Sequence, residues 1–154
     1  MIYVVLNDIR SIHNVGSIFR TSDAVGVDKI FLTGYTPTPK DRFGRVRKDL
    51  AKVALGAEQS VSWEYEKSAL SLVKRLKKEG VCVVAIEQSP DSINYRKVKI
   101  NGPTAFVYGN EVDGISKSVL KECDIVAEIP MAGKKESLNV SVSAGITLFG
   151  MLNK

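Results

Sequence analysis

Ile129-Pro-Met-Ala-Gly-Lys-Lys-Glu-Ser-Leu-Asn-Val-Ser-Val-Ser-Ala-Gly145 is the stretch whose reading decides the fold. The apolar run at residues 125–129 reads as a strand, and Pro130 ends it because proline has no N–H to give to a ladder. A polar loop holding Gly133 follows. Ser137 or Asn139 then reads as the cap of a closing helix that carries Val140, Ala144, Ile146, Leu148 and Phe149. A strand–loop–helix unit of this kind aims backbone N–H groups at one spot, which suits an anion or a polar ligand edge. The plainer reading is an ordinary capped terminal helix.

Working outward, residues 104–108 and the continuous apolar run 81–86 read as buried strands, the latter a central parallel one. Residues 2–6 and 29–33 read as two more, and Val61-Ser-Trp-Glu-Tyr65 alternates like an edge strand. Between them lie predicted helices. Residues 15–25 place Val15, Ile18, Phe19 and Ser22 on one face, with Asn14 as cap and Gly26 as the left-handed end. Arg20 falls off that stripe, so packing does not require it. Residues 68–79 turn Leu70, Val73 and Leu76 inward and Lys74, Lys77 and Lys78 outward, and Gly80 stops them. Shorter helices are predicted over 49–55 and 116–122, a turn at 89–92, and a β-edge or extended connection over 95–100. This alternation is α/β: a mostly parallel sheet flanked by helices. Without a repeat, linker or low-complexity tract, residues 1–154 read as a single domain.

Forty-four per cent hydrophobic and 25 per cent charged residues are ordinary for a soluble globular chain, and no apolar run approaches the ~20 residues that span a bilayer. The N-terminus lacks a signal peptide's basic opening. Cys82 and Cys123 form no CxxC pair and no Cys/His cluster offers a metal site, so reduced cysteines in a cytoplasmic protein are expected. The net charge of +5 is concentrated: Lys40, Arg42, Arg45, Arg47, Lys48 and Lys52 face only Asp41 and Asp49. A charge run is commonly a solvated loop, but this concentration favours phosphate contact.

Two further stretches give the closing segment its context: Asn14-Val-Gly-Ser-Ile-Phe-Arg20-Thr-Ser-Asp-Ala-Val-Gly26, and Phe106-Val-Tyr-Gly109-Asn-Glu111-Val-Asp-Gly114-Ile-Ser116. In this order and spacing the three resemble the motifs of the SpoU/TrmH branch of the SPOUT RNA methyltransferases, a likeness running from Asn7 to Met151. The resemblance implies a deep C-terminal trefoil knot, where general connection rules would give an open, unknotted sheet. It implies S-adenosylmethionine as cofactor, held at Ile86, Glu87, Gly109, Ile129, Met131 and Leu138. Transfer of the methyl group to a ribose 2′-hydroxyl of RNA, tRNA over rRNA, is expected, as is a homodimer whose active site borrows residues across the interface.

Arg20 matches the arginine the family uses at the ribose hydroxyl. A guanidinium is a poor base, so its expected part is to hold an RNA phosphate and stabilise oxyanion character. Asn14, Glu111, Ser137 and Asn139 match polar positions that brace this corner, and each asparagine or serine is also a natural cap. RNA capture is expected from Arg42, Arg45, Arg47 and Lys48, with Lys134 and Lys135 near the knot. Plain alternatives are core packing for the aliphatics and a surface salt bridge with Asp23 for Arg20. His13, the only histidine, has no GxSxG elbow to serve, and neither GxGxxG after the first strand nor GxxxxGK[ST] occurs. Two rivals keep other functions: an inactive RNA-binding scaffold of the same fold, and a small α/β nucleotide-binding or regulatory domain.

Overall fold

The computed structural model describes residues 1–154. Along the chain run β1 (Ile2–Asn7), α1 (Ile12–Val25), β2 (Lys29–Thr33), α2 (Lys48–Ala54), α3 (Ala57–Ser60), β3 (Ser62–Glu66), α4 (Ala69–Lys78), β4 (Cys82–Ile86), β5 (Ile93–Asn94), β6 (Thr104–Tyr108), α5 (Lys117–Glu122), β7 (Ile125–Glu128) and α6 (Val140–Leu152). The seven strands make one sheet in the order β3-β2-β1-β6-β4-β7-β5, every neighbour parallel.

Strand alternation splits the core in two. Val4, Leu6, Ile30, Leu32, Phe106 and Tyr108 meet Val15, Ile18 and Phe19 of α1, Leu50 of α2, and Ala144 and Leu148 of α6. On the opposite face Val5, Phe31, Val83, Ala105 and Val107 meet Leu72, Val73 and Leu76 of α4 and Val119 of α5. A sheet covered on both sides explains why the middle strands read as unbroken apolar runs. The α1–α2 contact is tight: a Cβ on Gly16 would stand 2.8 Å from the Val53 Cβ.

Four local expectations are corrected. Helix α1 starts earlier than residue 15, because the Ser11 hydroxyl caps it by accepting the Asn14 N–H at 3.2 Å. Asn14 therefore sits inside the first turn with its amide free for another partner. Residues 95–100 are no edge strand; a 3-10 turn at Tyr95–Lys97 follows β5 and packs Tyr95 beneath Gly150. On α4, Ala69 and Leu72 join Val73 and Leu76 in the core, while Leu70 is only half-buried. On α6, Phe149 and Val142 are exposed and Thr147 and Met151 are buried with Ala144 and Leu148.

Since every strand is parallel, the loops after β1, β4, β6 and β7 all leave from one edge of the sheet. That edge is where open α/β sheets place ligands.

Candidate functional site

Three loops and the start of α6 enclose a cavity of about 210 Å³ at this edge. Ile86, Glu87 and Gln88 come from the end of β4, Tyr108 to Val112 and Gly114 from the loop after β6, and Glu128, Ile129 and Met131 from the end of β7. Ser137, Leu138, Asn139, Val140 and Ser143 close it. All six residues expected at the cofactor thus line one cavity, together with Glu111, Ser137 and Asn139. Its charge is one-sided: Glu87, Glu111 and Glu128 are present and no lysine, arginine or histidine is.

A hydrogen-bonded chain ties the three motifs together. The Glu111 carboxylate accepts the Arg10 N–H at 3.0 Å, the Ser11 N–H at 3.1 Å and the Asn14 Nδ2 at 3.0 Å. With its amide nitrogen so engaged, Asn14 turns Oδ1 to the Asn139 Nδ2, 3.1 Å away. Asn139 in turn uses its own Oδ1 to cap α6, accepting the N–H of Ser141 at 2.9 Å and of Val142 at 3.4 Å. Each oxygen and nitrogen has one consistent assignment. Burial alone would raise the Glu111 carboxyl, but the Arg10 N–H, the Asn14 amide and the Ser11 N–H outweigh it and hold it below the usual carboxylate range.

Of the two kinds of ligand expected of this segment, an anion or a polar ligand edge, this geometry tells against the anion. Asn139 takes the first free N–H groups of α6 for its own cap, and the lining carries three glutamates and no basic residue. The site suits a cation instead. The reason for Gly109 also changes. A Cβ there would stand 2.4 Å from the Gly114 carbonyl carbon and 2.6 Å from the Ile115 nitrogen, so the close approach is made by the protein's own backbone. Glu87 pins the same turn, accepting the Ile115 N–H at 3.1 Å and its neighbour Gln88's N–H at 2.9 Å. The Gln88 side chain donates to the Glu136 carbonyl at 2.6 Å and so braces the loop before α6.

Arg20 stands apart. It is exposed on α1 and does not line the cavity within one chain. Nor does it pair with Asp23, which accepts the Ser60 hydroxyl at 2.5 Å. His13 is exposed as well.

The basic connection is a built turn. Lys40 and Val46 bridge antiparallel, and the Asp41 carboxylate accepts the N–H groups of Phe43 at 2.8 Å and Arg45 at 3.0 Å and the Arg45 Nε–H at 2.9 Å. The Arg45 N–H is the chief reason Asp41 stays below the usual carboxylate range, against burial. Arg42, Arg45 and Lys48 are exposed and Arg47 is half-buried. The sequence did not single out Tyr35, whose hydroxyl accepts the Asn110 Nδ2 at 2.8 Å, or Tyr65 and Trp63, which share a cavity with Arg42 and Arg47. Aromatic positions in the alternating run 61–65 were the available signal.

No group of three His, Cys, Asp or Glu side chains is placed to hold a metal ion, and no helix is long and apolar enough to cross a membrane. Burial, then the neighbouring Asp124, pushes the Cys123 thiol up to about 12, so it is a poor nucleophile at neutral pH.

A parallel sheet whose loops bring the second and third motifs into one acidic cavity, with the first motif bonded to its wall through Asn14, defines a class, and the family model agrees: the chain belongs to the SpoU rRNA Methylase family, matched over residues 1–149. Among curated proteins it is similar to the 23S rRNA (guanosine-2′-O-)-methyltransferase RlmB of Neisseria meningitidis serogroup B. The identity is 34% over 145 residues, or 94% of this chain and 55% of that protein. It is also similar to the crystal structure of the A. aeolicus TrmH/SpoU tRNA modifying enzyme, at TM-score 0.86 and 30% identity over 99% of this chain and 74% of that one. The AdoMet-bound rRNA methyltransferase from Sinorhizobium meliloti superposes at TM-score 0.88 with 28% identity, over 99% of this chain and 56% of that one. The chain spans a little over half the length of the curated relative it matches.

Proposed function

We propose that the chain is an S-adenosylmethionine-dependent RNA methyltransferase acting on a ribose 2′-hydroxyl. The observation that carries this reading is the cavity's composition: three carboxylates, no basic residue, and the apolar walls Ile86, Ile129, Met131 and Leu138. Such a lining favours a ligand that joins a positive centre to an apolar ring, and disfavours a free nucleotide phosphate. When bound, S-adenosylmethionine supplies a methyl carbon made electrophilic by its sulfonium. Ile129 and Leu138 would flank the adenine, and Glu87, Glu111 and Glu128 would set a potential that favours the cation. Asn14, Glu111 and Asn139 hold the wall in place, and Ser137 lies at its rim.

RNA would reach this acidic cavity through cations outside it: Arg42, Arg45, Arg47 and Lys48 hold phosphates, and Arg20 steadies the phosphate and oxyanion beside the attacking hydroxyl. Because Arg20 lies outside the cavity of its own chain, the proposal includes a homodimer in which a second copy brings it there. The exposed Val142 and Phe149 on α6 offer an apolar surface for that copy. The C-terminal trefoil knot belongs to the same reading. The Gln88–Glu136 bond and the Tyr108–Thr147 bond of 2.7 Å support a tail that passes the 87–92 segment to reach α1. The names of the relatives span rRNA and tRNA and do not support the expected preference for tRNA, so the substrate is proposed as RNA ribose in general. Residues 1–154 as one domain, and a cytoplasmic location where such RNA is found, complete the proposal.

The test is calorimetry with S-adenosylmethionine, then labelling of total RNA and mapping of the product by mass spectrometry. Cofactor binding with a 2′-O-methyl product is expected. A chain that binds no cofactor is a regulatory domain, and one that binds it without any RNA product is a scaffold; either result overturns the proposal.

A further inference from the structure

The basic turn and the exit of β2 enclose a second cavity, of about 470 Å³, that the cofactor reading leaves unused. Lys40, Arg42, Arg47, Tyr35, Trp63 and Tyr65 line it, with one carboxylate, Asp41. That carboxylate is already engaged by Arg45 and two backbone N–H groups, so it opposes an incoming anion weakly. Arg47 carries an enclosed Nε–H with no acceptor in the protein, an unmet donor that a ligand oxygen would satisfy.

The aromatic rings are held in an unusual way. Tyr65 is 48% exposed and its hydroxyl donates to the Gly34 carbonyl at 2.9 Å. Tyr35 is 59% exposed and its hydroxyl accepts from Asn110 at 2.8 Å. Both rings are anchored by their tips, so their rotamer freedom is spent before any ligand arrives. Beside them Phe43 is 67% exposed, with the Arg42 and Arg45 guanidinium carbons 4.8 and 4.9 Å from its ring centroid. A solvated basic loop needs neither fixed rings nor an unmet donor. Aromatic faces next to guanidinium groups are what unpaired nucleotides stack on.

We infer that this cavity is a subsite for an unpaired nucleotide of the RNA, its base stacked on Tyr35 or Tyr65 and its phosphate on Arg42 and Arg47. The inference rests on the RNA-modifying reading and adds that the substrate presents a single-stranded residue away from the methylated one. Asn110 connects the two places: it bonds Tyr35 on one side and lines the acidic cavity on the other.

Fluorescence anisotropy with a short unstructured oligouridine RNA tests it, alongside the same oligonucleotide with abasic sites and a blunt RNA duplex. Tyr35→Ala with Tyr65→Ala should weaken oligouridine binding roughly 5- to 150-fold, the range expected from losing one stacked base. Tyr35→Phe with Tyr65→Phe keeps both ring faces but frees their tips, so it should lose clearly less than the alanine variant, and the abasic and duplex probes should bind the wild type as weakly as oligouridine binds the alanine variant. Unchanged binding in the alanine variant overturns the subsite, and so does an equal loss in the phenylalanine variant. Calorimetry with S-adenosylmethionine on the same proteins keeps the two readings apart. Absent cofactor binding in the wild type would sink the methyltransferase reading and leave the stacking result standing.

Discussion

Replacing Glu111 with alanine should destabilise the protein by about 2 kcal/mol, because it strands three donors at once. The N–H groups of Arg10 and Ser11 and the Asn14 amide all end on this one carboxylate, at 3.0 to 3.1 Å. A hydrogen bond to a charged acceptor contributes about 1.5 kcal/mol when dry, and roughly half of that where water can substitute. Glu111 is half-buried, so the lower figure applies to each bond. For a chain of this size the loss corresponds to a fall of about 4–8 °C in Tm. Glu111→Gln keeps one acceptor oxygen and should lose about half as much. Urea denaturation followed by circular dichroism measures both. The sign of the pH dependence follows from the shift. A carboxyl held below its unfolded value stabilises the fold above that value, about pH 4.3, and the contribution is lost as pH falls through the folded value. The gap between wild type and Glu111→Ala should therefore narrow below about pH 4, towards the loss seen with Glu111→Gln. Asp41 is shifted the same way in both proteins and cancels from the difference. A cost below about 0.5 kcal/mol at neutral pH, the level of an ordinary surface change, would refute the idea that this carboxylate ties the motifs together.

Gly109→Ala should cost about 1–3 kcal/mol and impair cofactor binding, since the new methyl meets backbone that cannot swing aside; calorimetry and urea midpoints check both effects. Neutralising Arg42, Arg45 and Arg47 together should flatten the salt dependence of RNA binding, reducing the slope of log K against log salt by about 0.7–0.9 for every phosphate no longer held; an unchanged slope would make the turn mere solvated surface. Arg20→Ala should abolish transfer while cofactor binding survives, and mixing it with a Leu138→Asp chain should restore activity, because one composite site in each mixed dimer is intact. No recovery after exchange of subunits would show that Arg20 serves its own chain. Pulled by its ends, a threaded chain should fall short of the about 550 Å that 154 residues reach at full extension; a full-length trace would exclude the knot.

Much of the sheet is legible directly, because strands covered on both faces leave unbroken apolar runs such as Cys82–Ile86 and Thr104–Tyr108. The start of α1 is ambiguous in the sequence for a physical reason: Ser11 and Asn14 are equally good caps, and what frees Asn14 for other work is Glu111, nearly a hundred positions away. Parallel pairing in the order found, and the 3-10 turn at Tyr95, likewise depend on partners that local pattern does not contain. At the site, the motifs mark which residues gather in the cavity, while its acidic character emerges only when Glu87, Glu111 and Glu128 meet in space. Arg20's place off the apolar stripe is visible, but not the direction of its reach. The aromatic cavity is hidden because Tyr35, Trp63 and Tyr65 come from separate segments and look like ordinary edge residues one at a time.

The capping of α6 by Asn139 has a consequence for how the protein is made. Glu128 and everything after it supply eight of the seventeen residues that form the acidic cavity, and Asn139 docks on a helix formed near the chain's beginning. During synthesis, therefore, most of the sheet can assemble while the pocket does not yet exist. The cavity is complete only once the start of α6 has left the ribosome and Asn139 has met Asn14. A nascent or clipped chain would be folded in large part and silent.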